Sequence, residues 1–334
     1  MLISPFFLHL MILAGALGLD RLVGDPPRLW RRVPHPVVVF GRLIGWADEA
    51  LNDPELAPDR RRRRGVIAMA LLSVLAFATG LGLHLALTAL GWAGLLLELL
   101  IVAVFLAQKS LFEHVAAVAD SLQREGLEGG RRAVAQIVGR DPETLDRPGV
   151  CRAAIESLAE NFSDGLVAPA FWFAVLGLPG LMAYKMINTA DSMIGHLSSR
   201  HRDFGWAAAR LDDVVNWPAA RLSAALLAIA AAAIQGMTSG WRAISTARRD
   251  AGVHRSPNAG WPECAMAGAL DLPLGGPRRY GEVVVAAVPL NAAGSSSASV
   301  ARLRLALSVA QGAAVAGLLL VLGVALVAAL IAAG

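Results

Sequence analysis

Charge is what this chain has least of. Of its 334 residues 17% are charged, where an ordinary soluble domain carries about a quarter. The mean hydropathy is +0.55 and 56% of the residues are hydrophobic. These figures exclude a disordered chain and an ordinary soluble enzyme. Lysine is nearly missing: Lys109 and Lys185 stand among 28 arginines. Cysteine is scarce as well. Cys151 and Cys264 cannot build a disulfide framework and are not spaced as a zinc site, a usage that fits a reducing compartment. A Walker A loop, G-x-G-x-x-G, G-x-S-x-G, H-E-x-x-H and C-x-x-C are all absent. Any use of ATP therefore proceeds without a standard phosphate loop.

What is present is long uncharged sequence. Residues 1–19, 165–184, 222–241 and 305–334 hold no Asp, Glu, Lys or Arg, and 66–107 holds only Glu98. A bilayer core takes about 20 apolar helical residues. The pattern predicts an all-α, polytopic integral membrane protein, organised as one membrane domain over 1–334. Spans are expected at 2–19, 66–87, 94–112 and 305–332, with 166–184 and 219–238 either spanning or re-entrant. The first segment lacks a basic leader and a cleavage site, and reads as a retained helix. The run Arg60–Arg64 reads as a cytoplasmic topology anchor. No DNA- or RNA-binding motif accompanies it, so no nucleic-acid partner is expected. No internal repeat supports an inverted-repeat transporter.

Four polar clusters interrupt the apolar sequence. The first runs from Asp20-Arg21 through Gly24-Asp25-Pro26-Pro27 to Pro34-His35-Pro36. Its prolines and glycines predict an extended, turning segment. The second is Glu156, Glu160, Asn161, Ser163 and Asp164. Carboxylates at i and i+4 repel unless a cation or proton lies between them, which suits Mg²⁺, a hard ion content with one or two carboxylates plus phosphate oxygens. The third spans Tyr184 to His196. Helical spacing puts Lys185, Asn188, Thr189, Ser192 and His196 on one stripe, with Asp191 nearby and Asp212, Asp213 and Asn216 downstream. The fourth runs from Arg248-Arg249-Asp250 through His254, Ser256, Asn258 and Glu263 to Gly275-Gly276-Pro277. It pairs turn signals and backbone donors with arginines, as an anion site would.

These clusters in this order resemble the adenosylcobinamide-phosphate synthase family of cobalamin biosynthesis, the CobD/CbiB family. The matching stretches are Asp20–Pro26 with His35-Pro36-Val37, IESLAENFSDGLVAP, YKMINTADSMIGH, ARLDDVVNWPAAR and SPNAGWPECAMAGALDLPLGG. Val288–Val300 is degenerate beside that pattern. The resemblance implies an enzyme of the inner membrane, an ATP-dependent acid–amine ligase. It would join aminopropanol, free or as its O-phosphate, to the remaining carboxylate of adenosylcobyric acid through an acyl phosphate. The corrinoid is then substrate, ATP and Mg²⁺ are required, and the lipid bilayer and other late cobalamin-assembly enzymes are partners.

On that reading Glu156, Glu160 and Asp164 are the Mg²⁺ ligands, with Glu160 also catalytic. Lys185 and Arg249 neutralise phosphate. His254, Ser256 and Asn258 hold the aminopropanol phosphate. Asp212 or Asp213 accepts the ammonium proton or orients a second metal, with His196 a second candidate base. Asp25, His35, Asn161, Asn188, Asp191, Ser192, Asn216 and Glu263 complete the substrate-binding set. Two rival readings are a transporter of an anionic solute and a non-catalytic scaffold for corrinoid enzymes.

Overall fold

The computed structural model describes residues 5–26, 30–139, 141–276, 278–280, 283–285 and 288–333. In chain order its helices are α1 (Pro5–Leu22), α2 (Pro36–Leu51), α3 (Pro58–Thr88), α4 (Trp92–Phe105), α5 (Gln108–Arg124), α6 (Gly126–Val134) and α7 (Arg147–Asn161). They continue as α8 (Ala168–Ile194), α9 (Trp206–Val215), α10 (Trp217–Gln235), α11 (Met237–Asp250), α12 (Gly260–Leu270) and α13 (Val300–Ala333). A π-helical turn, Phe162–Val167, follows α7. Short strands pair Leu274–Gly275 with Pro289–Leu290 and Arg278–Tyr280 with Val283–Val285.

Five helical stretches are long and apolar enough to cross a membrane: Pro58–Thr88, Trp92–Arg124, Arg147–Ile194, Trp217–Gln235 and Val300–Ala332. The chain is thus an all-α, multi-pass membrane protein. The segment expected as a first span is helical, as α1, but is not among these five; residues 2–4 of that expectation lie outside the described residues. The expected turn after residue 87 is present, with Gly91 at φ +57 between α3 and α4. The segment expected at 94–112 is two helices, because Leu106 turns extended and ends α4. The 166–184 segment is α8, broken inside by Gly177 (φ +65) and Pro179. Proline there removes a backbone donor and kinks the helix.

The chain divides into two compact units. The first comprises Met1–Ala107, Ala168–Asn216 and Val321–Gly334. In it α3 packs on α8, and glycines let the backbones meet. A Cβ on Gly80 would stand 2.7 Å from Pro179 Cα, and one on Gly65 would stand 1.9 Å from the Phe204 carbonyl oxygen. Alanine normally gains about 1 kcal/mol over glycine inside a helix. Here the collision reverses the sign: Gly65→Ala is expected to cost about 1–3 kcal/mol or more, read as a lowered melting temperature in detergent.

A polar latch holds the α8–α9 loop in the same unit. Arg200 donates twice to Asp48 Oδ2, at 2.9 and 2.8 Å, and Asn52 donates to Asp48 Oδ1 at 2.7 Å. Arg61 donates to Asn52 Oδ1 at 2.9 Å and also to the Arg200 carbonyl. Arg61, in the first turn of α3, is buried because this latch satisfies its guanidinium.

The second unit comprises Gln108–Val167 and Trp217–Leu320. Its centre is α10, α11 and α12, whose touching faces are small residues such as Ala224, Ala231, Ala243, Ala247 and Ala265, all fully buried. That explains the modest apolarity of the 219–238 segment: its alanines buy close helix packing. Cys151 and Cys264 are buried free thiols.

Candidate functional site

The structure gathers the four sequence clusters two by two. The first and third meet in the first unit. His35 caps the start of α2, its Nδ1 accepting from the Val37 amide at 3.2 Å. Its Nε2 lies 3.8 Å from Asp25 Oδ1, and the Trp30 ring stands edge-on at 4.5 Å. Burial lowers the His35 pKa, the nearby Lys185 charge adds to that, and Asp25 opposes it. Lys185 is itself buried on α8.

Beside it the Tyr184 hydroxyl donates to Asn216 Oδ1 at 3.0 Å, and one turn further along Asn188 Nδ2 donates to Asp212 Oδ1 at 3.3 Å. Asp212 has its carboxyl pushed up to about 7. Burial is the largest cause and the Asp191 carboxylate the next, while the Asn188 hydrogen bond opposes them, as does the nearby Asn216 amide. Asp213 is raised by burial too, but Arg210 answers it at 3.4 Å.

In the third cluster α8 runs unbroken through Lys185, Asn188, Thr189 and Ser192. The Thr189 and Ser192 hydroxyls donate back to the carbonyls of Lys185 and Asn188, at 2.6 and 3.0 Å, as mid-helix hydroxyls do. His196 leaves the stripe altogether, because α8 ends at Ile194 and His196 is exposed in the loop beyond.

The second and fourth clusters meet in the second unit. Glu156 is buried, and its Oε1 accepts from the Gly275 amide at 2.7 Å, holding the Gly275-Gly276 turn. Glu160 and Asn161 are exposed and Asp164 is half-buried in the π turn, so the two glutamates do not share an environment. Asn161 Nδ2 donates to the Ser157 carbonyl at 2.9 Å. The Ser163 hydroxyl is buried without a partner among the described residues. No three His, Cys, Asp or Glu side chains gather as a metal cage among the described residues. A divalent ion held by Glu160 and Asp164 would take its other oxygens from phosphate.

In the fourth cluster His254 Nδ1 accepts from the Ser256 amide at 3.0 Å, and Nε2 lies 3.6 Å from buried Glu263. Ser256 Oγ accepts from the amides of Asn258 and Ala259, both at 3.2 Å. Arg249 is drawn to Asp250, donating to both carboxylate oxygens at 2.7 Å, which lowers the Asp250 pKa. Two residues here escaped the sequence reading. Arg221 donates to Asn258 Oδ1 at 2.7 Å. Asn291, at φ +50, is buried where its amide donates to Asp250 Oδ2 at 2.9 Å. It lies in the degenerate Val288–Val300 stretch, where nothing local signalled it.

The family model described as CobD/Cbib protein matches residues 13–310. This chain belongs to the CobD/CbiB family. A Sinorhizobium protein named Cobalamin biosynthesis protein CobD is 60% identical over 290 residues, 87% of this chain and 90% of its own length. The same-named protein of Rhizobium meliloti (strain 1021) is 58% identical over 302 residues, 90% of this chain and 92% of its own. That of Rhodobacter capsulatus is 48% identical over 269 residues, covering 80% and 82%. No solved structure matches the chain. Membership places this CobD/CbiB protein in cobalamin biosynthesis, and every polar residue described above falls inside the matched span.

Proposed function

We propose that this CobD/CbiB protein forms an amide bond between the free carboxylate of adenosylcobyric acid and the amine of aminopropanol or its O-phosphate, at the inner membrane. A carboxylate does not acylate an amine unaided, so the reaction uses ATP to convert it to an acyl phosphate. Phosphoryl transfer needs positioning and charge neutralisation above all. Glu160 and Asp164 suit a Mg²⁺ ion, which would screen phosphate charge when bound.

The observation that carries the reading is Asp212. An amine attacks only as the free base, and a carboxylate titrating near neutrality, among Asn188, Asp191 and Asn216, is suited to take the ammonium proton. Lys185, one turn before Asn188 on α8 and close enough to His35 for its charge to be felt there, is the anion-handling group. Against the scaffold reading, buried titratable groups set beside one another suit chemistry more than mere recruitment.

The test is amide formation by the purified protein in detergent, followed as corrinoid product with and without ATP. Product is expected only with ATP. Glu160→Gln and Lys185→Ala should each slow it at least about tenfold, the lower range for losing a charge-assisted contact, without unfolding. Full activity in both would remove these roles. Counterflow of solute into proteoliposomes with no amide product would instead favour a transporter.

A further inference from the structure

Arg249 was the arginine expected to meet phosphate, and it is occupied by Asp250. Arg221 differs from it. It sits in the first turn of α10, half-buried. Its guanidinium carbon lies 4.7 Å from the Trp217 ring centroid and 4.8 Å from that of Trp261. Both recorded hydrogen bonds leave from Nη1, to the Trp217 carbonyl at 3.1 Å and to Asn258 Oδ1 at 2.7 Å. Asn258 is buried, and its own backbone is fixed by Ser256. Among the described residues no carboxylate lies within ion-pair distance of Arg221.

We propose that Arg221 is the seat of a phosphate group. Guanidinium offers five N–H donors in a rigid fork. With Nη1 engaged and two indoles beside the plane, the Nε–Nη2 edge is held ready for two parallel bonds to phosphate oxygens. The indoles also keep water from part of the cation, which strengthens its attraction for an anion. Tying α10 to the 256–261 loop requires only Nη1, so the remaining donors are available to a ligand. The ligand class is a phosphate monoester carried by the substrate, or the phosphate of a lipid headgroup. Its identification with aminopropanol phosphate rests on the proposed function, but binding is read without turnover.

The experiment uses the whole protein in nanodiscs of phosphatidylcholine, alone or with phosphatidylglycerol. Calorimetric titration with aminopropanol O-phosphate and with unphosphorylated aminopropanol forms one arm. Phosphatidylglycerol retained through purification forms the other. If the substrate is the source, Arg221→Gln weakens the phosphorylated amine by about 10- to 100-fold and leaves the other amine unchanged. Arg221→Lys, which keeps the charge and loses the fork, gives an intermediate loss. If lipid is the source, the soluble ester is unaffected and retained phosphatidylglycerol falls. Unchanged binding and unchanged lipid in both variants, with wild-type melting temperatures, overturns the proposal. Loss of phosphate binding alongside an absent amide product would leave this inference standing while the reaction failed.

Discussion

Asp212→Asn should lower the rate of amide formation by about 10²- to 10⁴-fold, the usual worth of a positioned general base. Asparagine keeps the size and the hydrogen bond with Asn188 and cannot accept a proton. The pH profile gives the sharper test. Burial, and then the Asp191 carboxylate, push the Asp212 carboxyl up to about 7. Below that pH it is protonated and cannot take a proton from the ammonium; above it the carboxylate is free to do so. The wild-type rate, measured at saturating substrates, should therefore fall as pH drops through about 7, and Asp212→Asn should lack that limb. Asp191→Asn removes the neighbouring negative charge that raises Asp212. The limb should then move to lower pH with activity retained. Asp213→Asn, whose carboxylate already faces Arg210, should change little. An unaltered limb in Asp212→Asn would transfer the role to another group.

The legible part of this protein is the part written locally. Uncharged runs mark helices in lipid because no charge survives there without a partner. Pro36, Pro58 and Pro218 fall at or near helix starts as their missing N–H allows. Pairings across the chain were not legible. Asp48 meets Arg200 from 152 positions away, and Glu156 meets Gly275 from 119. The spacing of Glu156 and Glu160 suggested a common cation, yet depth is set by what packs on α7. The glutamate that a backbone amide satisfies is buried, and its neighbour is exposed. His196 fell off its predicted stripe because α8 stops two residues earlier. Arg221 closes the stretch ARLDDVVNWPAAR, but its setting was not legible there because its flanking indoles come from α10 and α12, 44 positions apart. Family resemblance supplied what spacing could not: it identified which separated stretches belong to one family pattern, and the fold brings the first to the third and the second to the fourth.

His84→Ala is expected to destabilise the protein by about 1–3 kcal/mol, the range for leaving a buried acceptor without its hydrogen-bond partner. Glu98 is the single acidic residue of the long uncharged sequence 66–107, and its side chain is 1% exposed on α4. Its Oε1 lies 3.1 Å from His84 Nδ1 on α3. The His9 ring of α1 stands edge-on to His84 at 5.9 Å and against Phe173 of α8 at 5.6 Å. The pair therefore joins α3 to α4 where α1 and α8 converge, and Gly177 permits the approach: a Cβ there would stand 2.9 Å from His9 Nε2. The two partners are unequal. His84 is 25% exposed and Glu98 1%, so an imidazole left alone keeps contact with its surroundings that a stranded carboxylate lacks, and losing Glu98 costs less than losing His84. Glu98→Gln, which keeps a hydrogen-bonding group for the imidazole and buries no charge, should lose about 1 kcal/mol. The double variant His84→Ala with Glu98→Gln should recover much of the single-variant loss, since no carboxylate is then left alone in an apolar site. Melting temperatures of the three variants in one detergent decide it. Equal losses for His84→Ala and Glu98→Gln, or no recovery in the double variant, would mean that packing rather than charge holds these helices together.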